Sequence, residues 1–118
     1  MQDDFFNVED SLEAQKKVPN DILCCDIADF FKVFGDSTRV KILFALFEKP
    51  LCVHDLALIV KMDQSAISHQ LKTLKHNKLV KINKDGKKSY YVIDDEHISQ
   101  ILKAGIDHLN HTKGTLDV

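Results

Sequence analysis

The sequence predicts a mainly helical domain that carries one β-hairpin. Three observations predict it: apolar residues return every three or four positions through most of the chain, a single Asp-Gly step is flanked by alternating β-formers, and 118 residues with 44% hydrophobic content support one core and not two.

Residues 1–20 are acidic and lack a sustained apolar period, so a poorly ordered arm is expected there. Over residues 21–34 the positions Ile22, Leu23, Ile27, Phe30, Phe31 and Phe34 form the stripe of an amphipathic helix, which Gly35 ends. Asp36 can cap the next helix, where Val40, Leu43, Phe44 and Phe47 keep the period until Pro50 stops it. A short helix follows over residues 53–60, then a break at 61–63, then a longer helix over 64–76 for which Asp63 is the N-cap. Past Asn77 the pattern alternates over 79–83 and 89–93 around Lys84-Asp85-Gly86-Lys87. This is a hairpin signal, and a type I′ turn with positive φ at both central residues is expected at Asp-Gly. A last helix runs from residue 95 or 96 to 111, leaving a frayed tail over 112–118. The folded domain is therefore placed at residues 21–111.

Two short helices a few residues apart, followed by a hairpin, make the pattern of a winged helix-turn-helix. In that geometry the second helix lies in the major groove with its first residues toward base edges. Here those are Gln64, Ser65, Ser68 and His69, while Ile67, Leu71 and Leu74 form the opposite, buried stripe. Gln can pair with adenine through two hydrogen bonds, and Ser and His reach base or phosphate acceptors. Lys72 and Lys75 follow on the same helix, and Lys84, Lys87 and Lys88 crowd the wing tip, where they would meet phosphates. Taken alone, the first set also reads as an ordinary capped helix start and the second as a solvated lysine face. A solvated lysine face fits the charge alone about as well, but the charge division and the wing together favour DNA binding. Residues 1–30, 31–93 and 94–118 carry −6, +7 and −3, so a net charge of −2 conceals a basic middle suited to double-stranded operator DNA.

Three of the six histidines fall near the end, as Asp95-x-His97 and His108-x-x-His111. Eleven residues turn a helix through about three revolutions, so His97 and His108 share a face but stand ~16 Å apart. Zinc–nitrogen bonds are only ~2 Å long. One helix therefore cannot gather Asp95, His97, His108 and His111 around one ion, whereas an antiparallel copy brings the first pair of one chain to the second pair of the other. Positions 97, 101, 104, 108 and 111 follow a paired-helix seam, with Ile101 and the small Ala104 between the histidines and Gly105 beside them. A homodimer holding two symmetric sites is expected. Three imidazoles and a carboxylate suit Zn²⁺, with Co²⁺ or Ni²⁺ as alternatives.

FGDSTRVKIL, LCVHDLA, QSAISHQLKTLK, the wing through SYYVIDDEH and the Asp95, His97, His108, His111 spacing together resemble the ArsR/SmtB family of metal-responsive repressors, and within it the zinc and cobalt sensors. The resemblance spans residues 21–111. It implies a dimer through the first and last helices of that span, an inverted-repeat operator touched by Gln64, Ser65, Ser68 and His69, and release of DNA when metal binds across the last helices.

The chain departs from the family at a second site. Many members hold soft metals with Cys-Val-Cys and cysteines of the N-terminal arm, where this sequence has Cys52-Val53-His54 and, upstream, Cys24 and Cys25. Cys52 reads more readily as buried filler than as a ligand and His54 as exposed, and one of Cys24 and Cys25 is expected to pack against the core. The alternative is a thiol-based soft-metal or redox sensor of the same fold, built on Cys52 with Cys24 or Cys25.

Other classes fit less well. An odd cysteine count with two adjacent argues for reduced thiols, no run of eighteen apolar residues occurs, and the first ten residues are acidic. A cytoplasmic protein without membrane contact is expected. A zinc hydrolase would need an open coordination position, a general base and a pocket, so no catalytic residue or small-molecule substrate is expected.

Overall fold

The computed structural model describes residues 8–113, and the chain divides into two compact units, one ending at Lys32 and one beginning at Val33. The elements are α1 (Val8–Lys17), α2 (Asp21–Val33), α3 (Ser37–Glu48), α4 (Val53–Val60), α5 (Gln64–His76), β1 (Val80–Asp85), β2 (Lys88–Ile93) and α6 (Glu96–Lys113).

Helix α1 corrects the expectation of an irregular arm, whose first seven residues lie outside the described part. It buries nothing, so an apolar period could not announce it. Its charges favour a helix instead: Glu9 and Asp10 sit at the positive end of the helix dipole and Lys16 and Lys17 at the negative end. Lys16 also lies 3.3 Å from Glu13 one turn back. Asn20 then caps α2, its Oδ1 accepting the Leu23 N–H at 2.9 Å. Four residues of the expected apolar stripe, Ile22, Leu23, Ile27 and Phe31, are 77, 47, 41 and 52% exposed, while Phe30 and Phe34 are half-buried. Neither cysteine of this helix is buried, contrary to expectation; Cys24 is half-buried with its thiol donating to the Pro19 carbonyl at 3.4 Å, and Cys25 is exposed.

The second unit holds the core. Asp36 caps α3 by accepting the Arg39 N–H at 3.0 Å. The helix ends before Pro50, with Lys49 in the extended conformation that a following proline imposes. Its buried face is Ile42, Leu43 and Leu46, and Val40, Phe44 and Phe47 are only half-buried, so the deepest side is turned from the stripe expected. Helix α4 contributes Leu56 and Ala57, and α5 contributes Ile67, Leu71 and Leu74. Between them Lys61 adopts the left-handed conformation (φ 63°), and the Met62 N–H bonds the Ala57 carbonyl at 3.1 Å. Helix α5 closes in the same way: Lys78 is left-handed (φ 63°) and the Leu79 N–H returns to the Leu74 carbonyl at 2.9 Å. Leu74 and Leu79 are both fully buried, supplying the apolar contact that accompanies such an ending.

The two strands pair antiparallel from Val80↔Ile93 to Asp85↔Lys88. The loop is therefore Gly86-Lys87 and not Asp85-Gly86, and in it only Gly86 has positive φ (64°). That pattern belongs to a type II′ turn, which needs glycine only at its first central position, and corrects the type I′ expectation. A third segment joins at one residue: the Leu51 N–H bonds the Tyr91 carbonyl at 3.2 Å, and the Tyr91 N–H bonds the Leu51 carbonyl at 2.8 Å. Helix α6 is held at its head by Ile98, 3% exposed. It continues past His111 through Lys113, and the rest of the expected tail lies outside the described residues.

Leu71→Ala, which opens a cavity at a fully buried position, is expected to lower unfolding free energy by about 2–5 kcal/mol. Leu58→Ala, at a position 66% exposed, is expected to change it by less than about 0.5 kcal/mol. Urea unfolding at one fixed protein concentration distinguishes the two.

Candidate nucleic-acid interface and metal ligands

Helix α5 is two-sided. Ile67, Leu71 and Leu74 have no exposure, while Gln64, Ser65, Ser68, His69, Lys72 and Lys75 are all exposed. Asp63 starts the helix by accepting the Ala66 N–H at 2.7 Å, which leaves the polar residues of the first turn outside the cap. A hydrogen bond crosses the turn into α5: Gln64 Nε2 lies 3.0 Å from Nδ1 of His54, the second residue of α4. Behind the helix the Arg39 guanidinium donates to the Val33 carbonyl at 2.7 Å through Nε and to Gln70 Oε1 at 3.2 Å through Nη1. One side chain thus ties the last residue of α2 to the middle of α5. At the wing, Lys84, Lys87 and Lys88 are exposed around the turn. The expected groove-facing residues lie together on one helix face, and the expected phosphate-facing lysines lie on that helix and on the ribbon.

The four expected metal ligands, Asp95 just before α6 and His97, His108 and His111 within it, fall into two pairs. At the head, Asp95 Oδ1 accepts the His97 backbone N–H at 2.8 Å and stands 3.1 Å from His97 Nδ1. Both side chains are open to solvent. At the far end His108 and His111 are exposed one turn apart. Helical rise keeps the pairs ~16 Å apart. Among the described residues, no three His, Cys, Asp or Glu side chains of one chain are grouped to hold an ion.

At the second site, Cys52 is half-buried with its thiol 3.3 Å from Asp55 Oδ2, and His54 is exposed and turned to Gln64. The two side chains thus have separate partners.

Sequence reasoning missed the His54–Gln64 and Arg39–Gln70 contacts. Both join residues from different elements, and the only sequence signal for either was the residue type: a polar side chain on another helix.

Two short helices across a tight turn, a polar outer face on the second and a lysine-tipped ribbon beyond it define a winged helix-turn-helix. The family model for bacterial regulatory proteins of the arsR family matches residues 36–81. The chain belongs to that family: it is 34% identical over 105 residues to the transcriptional repressor SmtB homolog of a Synechocystis species, a match covering 86% of this chain and 80% of that one. It is also 42% identical over 84 residues to the cadmium resistance transcriptional regulatory protein CadC homolog of Staphylococcus aureus, covering 70% of this chain and 69% of that one. The solution structure of apo-NmtR superposes with a TM-score of 0.70 at 33% identity, covering 86% of each chain. These relatives are transcriptional regulators and not enzymes. No helix among the described residues is long and apolar enough to cross a membrane.

The Arg39 contact is open to a direct measurement. A double-mutant cycle on Arg39→Ala and Gln70→Ala is expected to return a coupling of about 1 kcal/mol in unfolding free energy. A coupling indistinguishable from zero would show that the guanidinium does not hold α5.

Proposed function

We propose that this chain is a cytoplasmic metal-responsive repressor that binds inverted-repeat operator DNA as a homodimer and is released when zinc, or else cobalt or nickel, binds between the last helices of two copies. Gln64, Ser65, Ser68 and His69 read base edges, and Lys72, Lys84, Lys87 and Lys88 hold phosphates. Asp95 and His97 of one copy and His108 and His111 of the other supply the ligands.

The observation that carries the reading is the separation of two exposed donor pairs, one at the entrance to α6 and one near its far end. The Asp95 carboxylate and the His97 imidazole are already within 3.1 Å of each other, so they can serve one ion, yet they need two further donors that their own helix places too far away. A second copy meets that need. A bound metal would supply a cross-link between subunits, worth the most in whichever dimer geometry brings the pairs together. If that geometry misplaces the two reading heads, zinc and DNA oppose each other. A hundredfold loss of operator affinity corresponds to ~2.7 kcal/mol of coupling.

A second reading, favoured by the 42% identical cadmium-resistance relative, puts sensing on Cys52 with Cys24 or Cys25. Both readings are tested with an inverted-repeat duplex selected in vitro. The metal-free protein is expected to bind it, one zinc per chain is expected to weaken binding by about a hundredfold, and His97→Ala and His108→Ala are each expected to abolish that response while metal-free binding stays within about threefold. Loss of the response in Cys52→Ser, with His97→Ala still responding, would move sensing to the thiols. A zinc-loaded monomer in sedimentation would end the bridging reading.

The wing gives an independent check. Replacing Lys84, Lys87 and Lys88 together by alanine is expected to reduce the slope of log affinity against log salt by about 0.9 for each phosphate no longer neutralised, with base preference unchanged. An unaltered slope would take the wing off the DNA backbone.

A further inference from the structure

A primary amide has two unlike ends, one accepting and one donating, and a glutamine free in water turns either end outward. Which end Gln64 shows to a base therefore depends on what restrains it. Its side chain meets His54, from the preceding helix, through a contact between the amide nitrogen and Nδ1 at 3.0 Å. Nitrogen facing nitrogen makes the amide the donor and the imidazole the acceptor. The ring proton then belongs on Nε2.

We infer that His54 is a specificity-determining positioning residue: by accepting from Gln64 Nε2 it fixes the orientation of that amide and so makes adenine the base preferred beneath it. The inference rests on the DNA reading proposed above. A Gln amide matches adenine by accepting from N6–H and donating to N7. With one amide hydrogen given to His54, Gln64 retains Oε1 and its second hydrogen, the pair that adenine requires. A donor at position 54 would instead take Oε1 and leave only the NH₂ group facing the groove, which suits the two acceptors of guanine, N7 and O6. With no partner at position 54 both orientations are accessible, and the choice between the bases weakens. Position 54 has no need to touch DNA for this effect. Both residues lie on the exposed side of the helix pair, at the first residue of α5 and the second of α4, so the restraint acts where the reading helix begins.

The test is in vitro selection from a randomised double-stranded DNA library, with chelator present so that no metal contributes, using the full chain and His54→Ala, His54→Glu, His54→Lys and Gln64→Ala variants checked for folding by circular dichroism. Wild type is expected to prefer adenine at one position of each half-site by about tenfold or more, and Gln64→Ala to lose that preference. His54→Ala is expected to relax the same position to about threefold or less while every other position keeps its preference. His54→Glu, which can only accept when ionised, is expected to retain adenine, and His54→Lys, which can only donate, to move the preference toward guanine. Unchanged adenine preference in both His54→Ala and His54→Lys would overturn the inference while leaving Gln64 as a base reader. An unchanged motif in Gln64→Ala would remove the base-reading role itself and the inference with it. Equal weakening of all positions in His54→Ala would mark a structural role and likewise overturn it.

Discussion

The arrangement depends on one dry contact, the burial of Ile67, Leu71 and Leu74 of α5 against the second unit's core, without any exposure. A helix of 13 residues is marginal alone in water and owes its persistence to such packing. Because the apolar side is immobilised, the angular position of every polar residue on the other side follows from helical geometry. The same core reaches the ribbon: Leu74 and Leu79 are packed on either side of the left-handed residue Lys78, and the Asp94 N–H bonds the Leu79 carbonyl at 2.9 Å, close to where β2 ends. Polar helix face and ribbon thereby share one core.

The flanking helices are built differently. Helix α2 turns apolar residues outward, and α6 is buried deeply only at Ile98, with Leu109 at 44% exposure farther along. Among the described residues of these two helices Val33 and Ile98 are buried, and Phe30, Ile101, Leu102 and Ile106 are half-buried. Exposed apolar area of this kind invites association. Most of the core comes from the middle of the sequence, while several large apolar residues of the flanking helices stay exposed. On the proposed reading this makes the spacing of Asp95 and His97 from His108 and His111 intelligible, since ligands divided between two ends of a helix report on the approach of a second helix.

Much of this was legible in the sequence because it leaves periodic or capping traces. The helices from α2 onward and the hairpin follow from the spacing of apolar residues, and Asp36 and Asp63 cap where they were expected to. The exposure of Gln64, Ser65, Ser68 and His69 follows from the same periodicity, since they alternate with a buried stripe. What escaped had no periodic trace. Helix α1 buries nothing, so no apolar period marked it, and the charges at its two ends were not read as a helix. The buried side of α3 was misjudged because two sides of that helix are apolar and tertiary packing chose Ile42 and Leu46. The turn shifted by one residue because the strands pair one step farther than their apolar alternation runs, down to Asp85 and Lys88. Contacts such as His54 with Gln64 arise from the closing of one helix on another, which one-dimensional spacing does not encode.

The single bridge between Leu51 and Tyr91 bears on solubility. A protruding two-stranded ribbon offers unpaired backbone groups along both margins, and such margins recruit strands from other molecules. Here the margin of β2 is already engaged near Tyr91, within the body of the domain. The outer reach of the ribbon carries Lys84, Asp85, Lys87 and Lys88, all exposed, and like charges on approaching ribbons would repel. The lysines that suit the wing to a polyanion thus also act as gatekeepers, letting a bare strand pair project into solvent without seeding sheet growth between neighbouring molecules.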